Sequence, residues 1–504
     1  MIEYDIRSGQ SVISLITAEE GRAELEIYKV AKEMKRPITT WSCTEGLKCG
    51  EDTESMEDPL EALNAIRSKP RGNIFIFRDL HMFWDGGMAG HIVRNIRDIA
   101  RDFKKQKKTL ILLSPINKLP PELTRDVVVI EFDLPGEDML NVVFDKIYAS
   151  AKGKFTINED EKNRIVSAMK GLTTTEAENA LAKSMIIKTR DEDHKDSHLS
   201  ELVLKEKALA VKKSGVLEYF ESEEDASSIG GLDNLKKWLD IRSAVFSKKA
   251  REFGLPRPKG ILLAGSPGCG KSLTAKAASN IFKVPLIKFD IGRLMGGIVG
   301  QTESNTRNAL QTIDAIDNCV VFIDELEKAF AGMGGDGNTD SGVSKRMFGS
   351  IITWMQEKKS SAFIIGTVNN IDVLPAELLR KGRFDEIFFV NLPNAQERHE
   401  ILNISCKKYN RDPSKFDFSD CVKDSEGFSG AELSEAVVSG LFTAFHRSED
   451  LHVDFVHSAI LRTNPLSKSK SDQLESMKKW AQRNAVSASK VDKSEQSCGR
   501  VLDF

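Results

Sequence analysis

Eight residues near the middle of the chain, Gly265-Ser266-Pro267-Gly268-Cys269-Gly270-Lys271-Ser272, have the types and spacing to hold a run of phosphates. Glycines in such a loop let backbone N–H groups turn inward on anionic oxygens, and a helix opening behind it adds its positive end. Lys271 would reach the β- and γ-phosphates, and the Ser272 hydroxyl would ligate Mg²⁺. The pattern requires a strand before it and a helix after it; the apolar run Ile261–Leu263 and the helical run from Ser272 meet that requirement. Further on, the apolar run Val320-Val321-Phe322-Ile323 ends in Asp324-Glu325. Carboxylates at a strand end beside such a loop place Asp324 on the metal and let Glu325 polarise a water for in-line attack. Taken singly, a glycine-rich turn or an ordinary strand end would explain either run. In this order they predict binding and hydrolysis of ATP with Mg²⁺.

The elements that must position these residues are legible as a period. Gly260–Ala264, Leu286–Asp290, Cys319–Ile323, Ala362–Gly366 and Glu386–Val390 read as strands separated by helical stretches, the pattern of a parallel sheet covered by helices. From Asn394 the pattern turns helical, which predicts a small lid. The first half repeats the plan with Val12–Ile16, Ile74–Phe77, Thr109–Leu113 and Val127–Phe132. Between the halves, 191–228 is rich in Asp, Glu, Lys, His and Ser and reads as a solvated helix or linker. The domains expected are therefore 1–190, a linker 191–228, an α/β subdomain 229–393, a lid 394–465 and a C-terminal helix with a disordered tail, 466–504.

Composition sets limits on function. A chain of 504 residues exceeds one core. Lys+Arg 72 against Asp+Glu 75 gives a net charge of -3, without the global basic field of a nucleic-acid-coating protein. The 7 cysteines lack CxxC spacing and read as reduced thiols. No apolar run suits a membrane span, and the start carries neither a signal nor a transit pattern. On these features the expected location is cytoplasmic.

The order Ile229-Gly230-Gly231-Leu232, the phosphate loop, Asp324-Glu325, Thr367-Val368-Asn369, Arg380-Lys381-Gly382-Arg383-Phe384-Asp385 and Gly427-Phe428-Ser429-Gly430-Ala431 resembles the AAA ATPases over about 225–465. The likeness extends to the AAA ATPases encoded in cyanobacteria and algal plastids, through Thr353-Trp354-Met355-Gln356-Glu357-Lys358 and Leu378–Phe389, which implies the plastid stroma as the location if the chain is plastid-encoded. The resemblance implies a P-loop AAA+ module with a helical lid. It also implies that Asn369 orients the attacking water, that Ile229 and Gly230 pack on the adenine, and that Ala431 makes the lid contact. Arg380 and Arg383 resemble arginine fingers that act on a neighbouring subunit, which implies a homo-oligomeric ring, by analogy a hexamer. One position departs from the threading members of the family: Ile298 stands where they carry a pore aromatic, and an aliphatic side chain grips with less area. The glycine-rich run Gly332–Gly337 reads equally as a second pore loop or a flexible one.

Three ordered likenesses suggest an internal duplication: Leu119–Arg125 with Leu374–Arg380, Phe132–Pro135 with Val390–Pro393, and Gly171–Glu176 with Gly427–Glu432. The first half lacks a phosphate loop, and Arg78 stands where Asp324 stands in the second, so a degenerate, nucleotide-free AAA-like α/β module is expected there. His81-Met82-Phe83-Trp84-Asp85 beside it reads either as strand-end packing or as a partner site. The leading function is remodelling of an unknown protein client. The alternatives are a nucleic-acid motor, disfavoured by charge, and an ATP-gated regulatory scaffold.

Overall fold

The computed structural model describes residues 2–50, 52–151, 155–190, 198–212, 216–220, 226–246, 248–295, 301–329, 341–358, 360–380 and 382–490. Ile298 and the run 332–337 lie outside them. The chain divides into two units, Met1–Asp196 and Ser197–Phe504.

The first unit is built on β1 (Val12–Ile16), β2 (Ile38–Ser42), β3 (Gly46–Cys49), β4 (Asp52–Glu54), β5 (Ile74–Arg78), β6 (Thr109–Ser114) and β7 (Val128–Glu131). They form one sheet ordered β4-β3-β2-β5-β6-β1-β7, parallel from β2 to β7 and closed by the antiparallel β3 and β4. Alternate strand residues face two cores. Phe75, Phe77, Leu110 and Leu112 pack with Ile92, Ile96 and Phe103 of the helix Ala89–Gln106. Ile13, Leu15, Ile74 and Ile76 pack on the other face with Ala23, Ile27 and Val30 of the helix Glu20–Glu33. The helices Glu137–Ser150, Glu159–Met169 and Thr174–Arg190 follow.

The second unit repeats the plan with β8 (Leu217–Phe220), β9 (Gly260–Gly265), β10 (Leu286–Phe289), β11 (Val320–Ile323), β12 (Phe363–Val368), β13 (Glu386–Val390) and β14 (Val486–Ser487). The order is β14-β13-β9-β12-β11-β10-β8, parallel except for β8. One face packs on Ala309, Ile313, Met347 and Ile351, the other on Leu235, Trp238, Ala275 and Phe282, so helices cover both sides. The helices Ala395–Lys408, Ser419–Asp424, Gly430–His446 and Val453–Arg462 form the lid around Leu402, Phe418, Leu433 and Val456.

The two sheets share a common core. Numbering the first five parallel strands of each unit in chain order, both run 2-3-4-1-5, β2-β5-β6-β1-β7 and β10-β11-β12-β9-β13, with β14 added parallel beyond β13 in the second. Local geometry repeats with it. Asp79 and Glu325, after the third of these strands, both adopt left-handed backbone (φ 53° and 50°), as do Gly171 and Gly427 (φ 85° and 82°). Thr173 with Glu176, and Ser429 with Glu432, close the same reciprocal cap at the start of a helix. These shared features support duplication.

One expectation changes. The stretch read as a charged linker holds the helix Leu199–Lys212, which buries Leu199, Leu202, Val203 and Val211, and the edge strand β8. Its charges hid an apolar stripe at helical spacing. In the C-terminal stretch, Ser471–Asn484 is a helix and β14 follows it, with Val486 buried beside β13; residues 491–504, where a disordered tail is expected, lie outside the described residues. In the His81 cluster, His81 is buried, Phe83 and Trp84 pack against the core, and Met82 is 71% exposed.

Candidate nucleotide site

β9 delivers its chain to the loop 266–270, which enters the helix Lys271–Phe282. Gly268 and Gly270 take left-handed φ of 79° and 85°, open to glycine at little cost. A Cβ on Gly268 would meet the Ser429 hydroxyl at 2.9 Å, so the loop packs directly on the lid. The Ala431 N–H donates to the Gly268 carbonyl at 3.0 Å, which fastens the start of the lid helix to the loop.

Lys271 is buried. Its ammonium donates to the Gly265 and Ser266 carbonyls, both at 2.7 Å, and to Asn369 Oδ1 at 2.8 Å. Burial pushes its pKa down to about 8, against the opposing pull of Cys269, Glu327, Asp324 and Glu325. Asp324 and Glu325 follow β11. Thr367, wholly buried on β12, donates its hydroxyl to Asp324 Oδ1 at 2.5 Å and accepts the Glu325 N–H at 2.9 Å. Glu325 pairs with Lys328, and the Asn369 N–H is held by Glu327 at 3.0 Å.

Lys271, Asp324, Glu325 and Asn369 line a cavity of about 390 Å³ between sheet and lid. It gathers Ile229, Gly230, Pro267, Gly268, Cys269, Gly270, Lys271, Ser272, Asp324, Glu325, Asn369 and Ala431. Gly265 lies under the loop, where a Cβ would strike the Val390 carbonyl, and Ser266 faces an adjoining cavity. Arg380 and Arg383 do not line the cavity; Arg383 rests against the Gln356 side-chain amide. The lid adds Ile401, Ile404, Ser405 and Ser434, which single-sequence reading missed because they fall within ordinary amphipathic helices.

The apolar end is rigidly built. Glu397 and Glu400, from the first lid helix, accept the N–H groups of Leu232 (3.1 Å) and Gly231 (2.9 Å). Lys236 donates to the Ile229 carbonyl at 2.6 Å. This end suits a flat base, and the N–H-rich loop with Lys271 suits a polyphosphate. Ser272 and Asp324 present hard oxygen donors to one cavity, few enough to leave most positions to phosphate and water, which fits Mg²⁺.

The site and fold are those of the AAA class of P-loop ATPases, and the comparisons agree. The family described as "ATPase family associated with various cellular activities (AAA)" matches residues 261–392. The N-terminal and second domains of SpoVK-like AAA ATPases match 2–132 and 137–214. The AAA domain-containing protein ycf46 of Guillardia theta is 35% identical over 488 residues, spanning 95% of this chain and 94% of its own. Those of Trieres chinensis (34%; 95% and 96%) and Pyropia yezoensis (33%; 94% and 96%) are similar. The chain belongs to this family of ycf46-type AAA domain-containing proteins. Among the described residues, no helix is long and apolar enough to cross a membrane.

Proposed function

We propose that the chain is an oligomeric ATPase that hydrolyses ATP to ADP and phosphate and uses the cycle to remodel or regulate a protein client. The observation that carries this reading is the convergence of Lys271, Asp324, Glu325 and Asn369, from three separate segments, on one cavity. A scaffold that only bound nucleotide would need the loop and Lys271, but not an acid-and-sensor pair beyond them.

Lys271 and the loop N–H groups hold the phosphates, while Ile229 and Gly230 flank the base. Mg²⁺, when bound, neutralises charge developing on the phosphate oxygens. Asp324 and Ser272 are the residues placed to hold it. Glu325 accepts the proton of the attacking water, and Asn369 fixes that water's position. Arg380 and Arg383 serve a neighbouring copy; that they do not line their own chain's cavity supports this.

Turnover and size measured with and without ATP test the reading. Lys271→Ala should weaken ATP binding by about a hundredfold, from loss of charge-assisted bonds worth about 3 kcal/mol. Glu325→Gln should retain ATP and favour the assembly. Unchanged turnover per subunit in Arg380→Ala would exclude the shared site. Stimulation by nucleic acid but by no protein would replace the client class.

A further inference from the structure

We infer that Thr367 is a positioning residue for hydrolysis: its hydroxyl orients the Asp324 carboxylate and ties down the backbone that carries Glu325. The inference rests on the ATPase reading above.

β12 reads Phe363-Ile364-Ile365-Gly366-Thr367-Val368 and is buried along its length. A hydroxyl in such a strand must be satisfied from within the protein. That of Thr367 donates to Asp324 Oδ1 at 2.5 Å and accepts from the Glu325 N–H at 2.9 Å. With donor and acceptor both engaged, the rotor has one orientation, and Asp324 cannot swing without breaking a short charge-assisted bond. One carboxylate oxygen is thereby committed, and the group keeps its place in the cavity it shares with Ser272.

The first unit supplies the control. Arg78 pairs with Leu113 across β5 and β6; one step beyond the Ile323–Gly366 pair, the same register sets Asp324 opposite Thr367. Asp79 keeps the left-handed backbone of Glu325, and its N–H is satisfied by the Leu113 carbonyl at 2.9 Å. The turn therefore forms without any hydroxyl. Where the carboxylate is replaced by Arg78, the hydroxyl is replaced by Leu113. The Thr367 hydroxyl goes with the chemistry, not with the turn.

The test is Thr367→Val, close in shape but without the hydroxyl, beside Thr367→Ser, which restores it, and Thr367→Ala should the valine fail to fold. Losing one charge-assisted bond should lower kcat about tenfold or more, with KM for ATP changed less than about threefold. Half-saturating Mg²⁺ should rise by a similar factor. A readout without turnover is the Mg²⁺ concentration needed to tighten a fluorescent ATP analogue in the Glu325→Gln background; it should rise in Thr367→Val and return in Thr367→Ser. Equal constants in wild type and Thr367→Val would overturn the inference while leaving the ATPase reading intact. So would a serine variant as impaired as the valine, or a loss of kcat tracking only a lowered unfolding midpoint with Mg²⁺ dependence unchanged. A wild-type protein that does not hydrolyse ATP would instead remove the reading beneath it.

Discussion

The first unit makes a sharp prediction at Glu19, the residue before the helix Glu20–Glu33, where the second unit has Gly270 before Lys271–Phe282. Its carboxylate is 4% exposed and reaches the start of the helix Thr174–Arg190, accepting the Thr174 N–H at 2.6 Å and its hydroxyl at 2.7 Å. The other oxygen accepts Arg22 at 2.6 and 3.0 Å, and the Arg22 guanidinium lies 4.2 Å from the Phe132 ring centre. A carboxylate thus sits at the loop-to-helix junction where the second unit is built to receive phosphate, and it clamps the unit's helical end to its sheet. Removing one partner of a buried, hydrogen-bonded pair costs about 3–5 kcal/mol, because the other charge stays buried. Glu19→Ala should therefore lower local protection of the helix Thr174–Arg190 by about 3 kcal/mol, or roughly a hundredfold in amide exchange. Glu19→Gln, which keeps an acceptor, should lose about half of that free energy. Hydrogen exchange by mass spectrometry on the full chain reads this directly. Unchanged protection across 174–190 in Glu19→Ala would refute the clamp.

Two further outcomes follow from packing and burial. Truncation after Asn484 removes β14 with buried Val486 and Ala488, and the N–H bond from Leu235 to the Ala488 carbonyl (3.1 Å). It should cost about 3 kcal/mol and lower the thermal midpoint of the second unit by roughly 6 °C. Lys358 donates to the Pro258 carbonyl at 2.8 Å, and burial pushes its pKa down to about 8 from 10.5. Between those values the unfolded chain binds more protons than the folded one, so stability contributed at this position rises with pH. Unfolding midpoints at pH 7.5 and 10 should show wild type gaining on Lys358→Met by up to about 3 kcal/mol; a constant gap would contradict the assignment.

Much of this was legible because it rests on local rules. The loop 265–272, the strand ending in Asp324-Glu325 and the repeated Leu-Pro-x-Glu-Leu segments are short, contiguous and chemically distinctive. What escaped is set by partners far away in sequence. β8 and β14 have only 4 and 2 residues, too short for any period, and become strands because β10 and β13 offer edges. β2, Ile-Thr-Thr-Trp-Ser, buries two threonines on joining β5, which no hydropathy pattern anticipates. Thr367 left a readable trace, a lone hydroxyl in an apolar strand, but only the fold reveals its partners. Glu19 left none: nothing local connects it to Thr174.

The two units together explain why one copy of the fold can need a ligand and the other need none. At the loop, the second unit presents a lysine to an anion, and the first places the Glu19 carboxylate there. At the end of the third strand, the second unit presents Asp324 to a cation. The first places Arg78 there and satisfies it with Glu24 at 2.7 Å, Glu45 at 3.1 Å and Glu20 at 3.3 Å. The sign of charge is inverted at the strand end, an acid stands next to the lysine's position at the loop, and each of these groups finds its counter-charge within the unit. Closure of the helical end onto the sheet is then built into the first unit by Glu19. In the second the lid is held by the bond from Ala431 to Gly268 and by Glu397 and Glu400 on the Leu232 and Gly231 N–H groups, all around the cavity. On the proposed ATPase reading, nucleotide in that cavity adds a further link between loop and lid, one that the Glu19 clamp of the first unit has no need of.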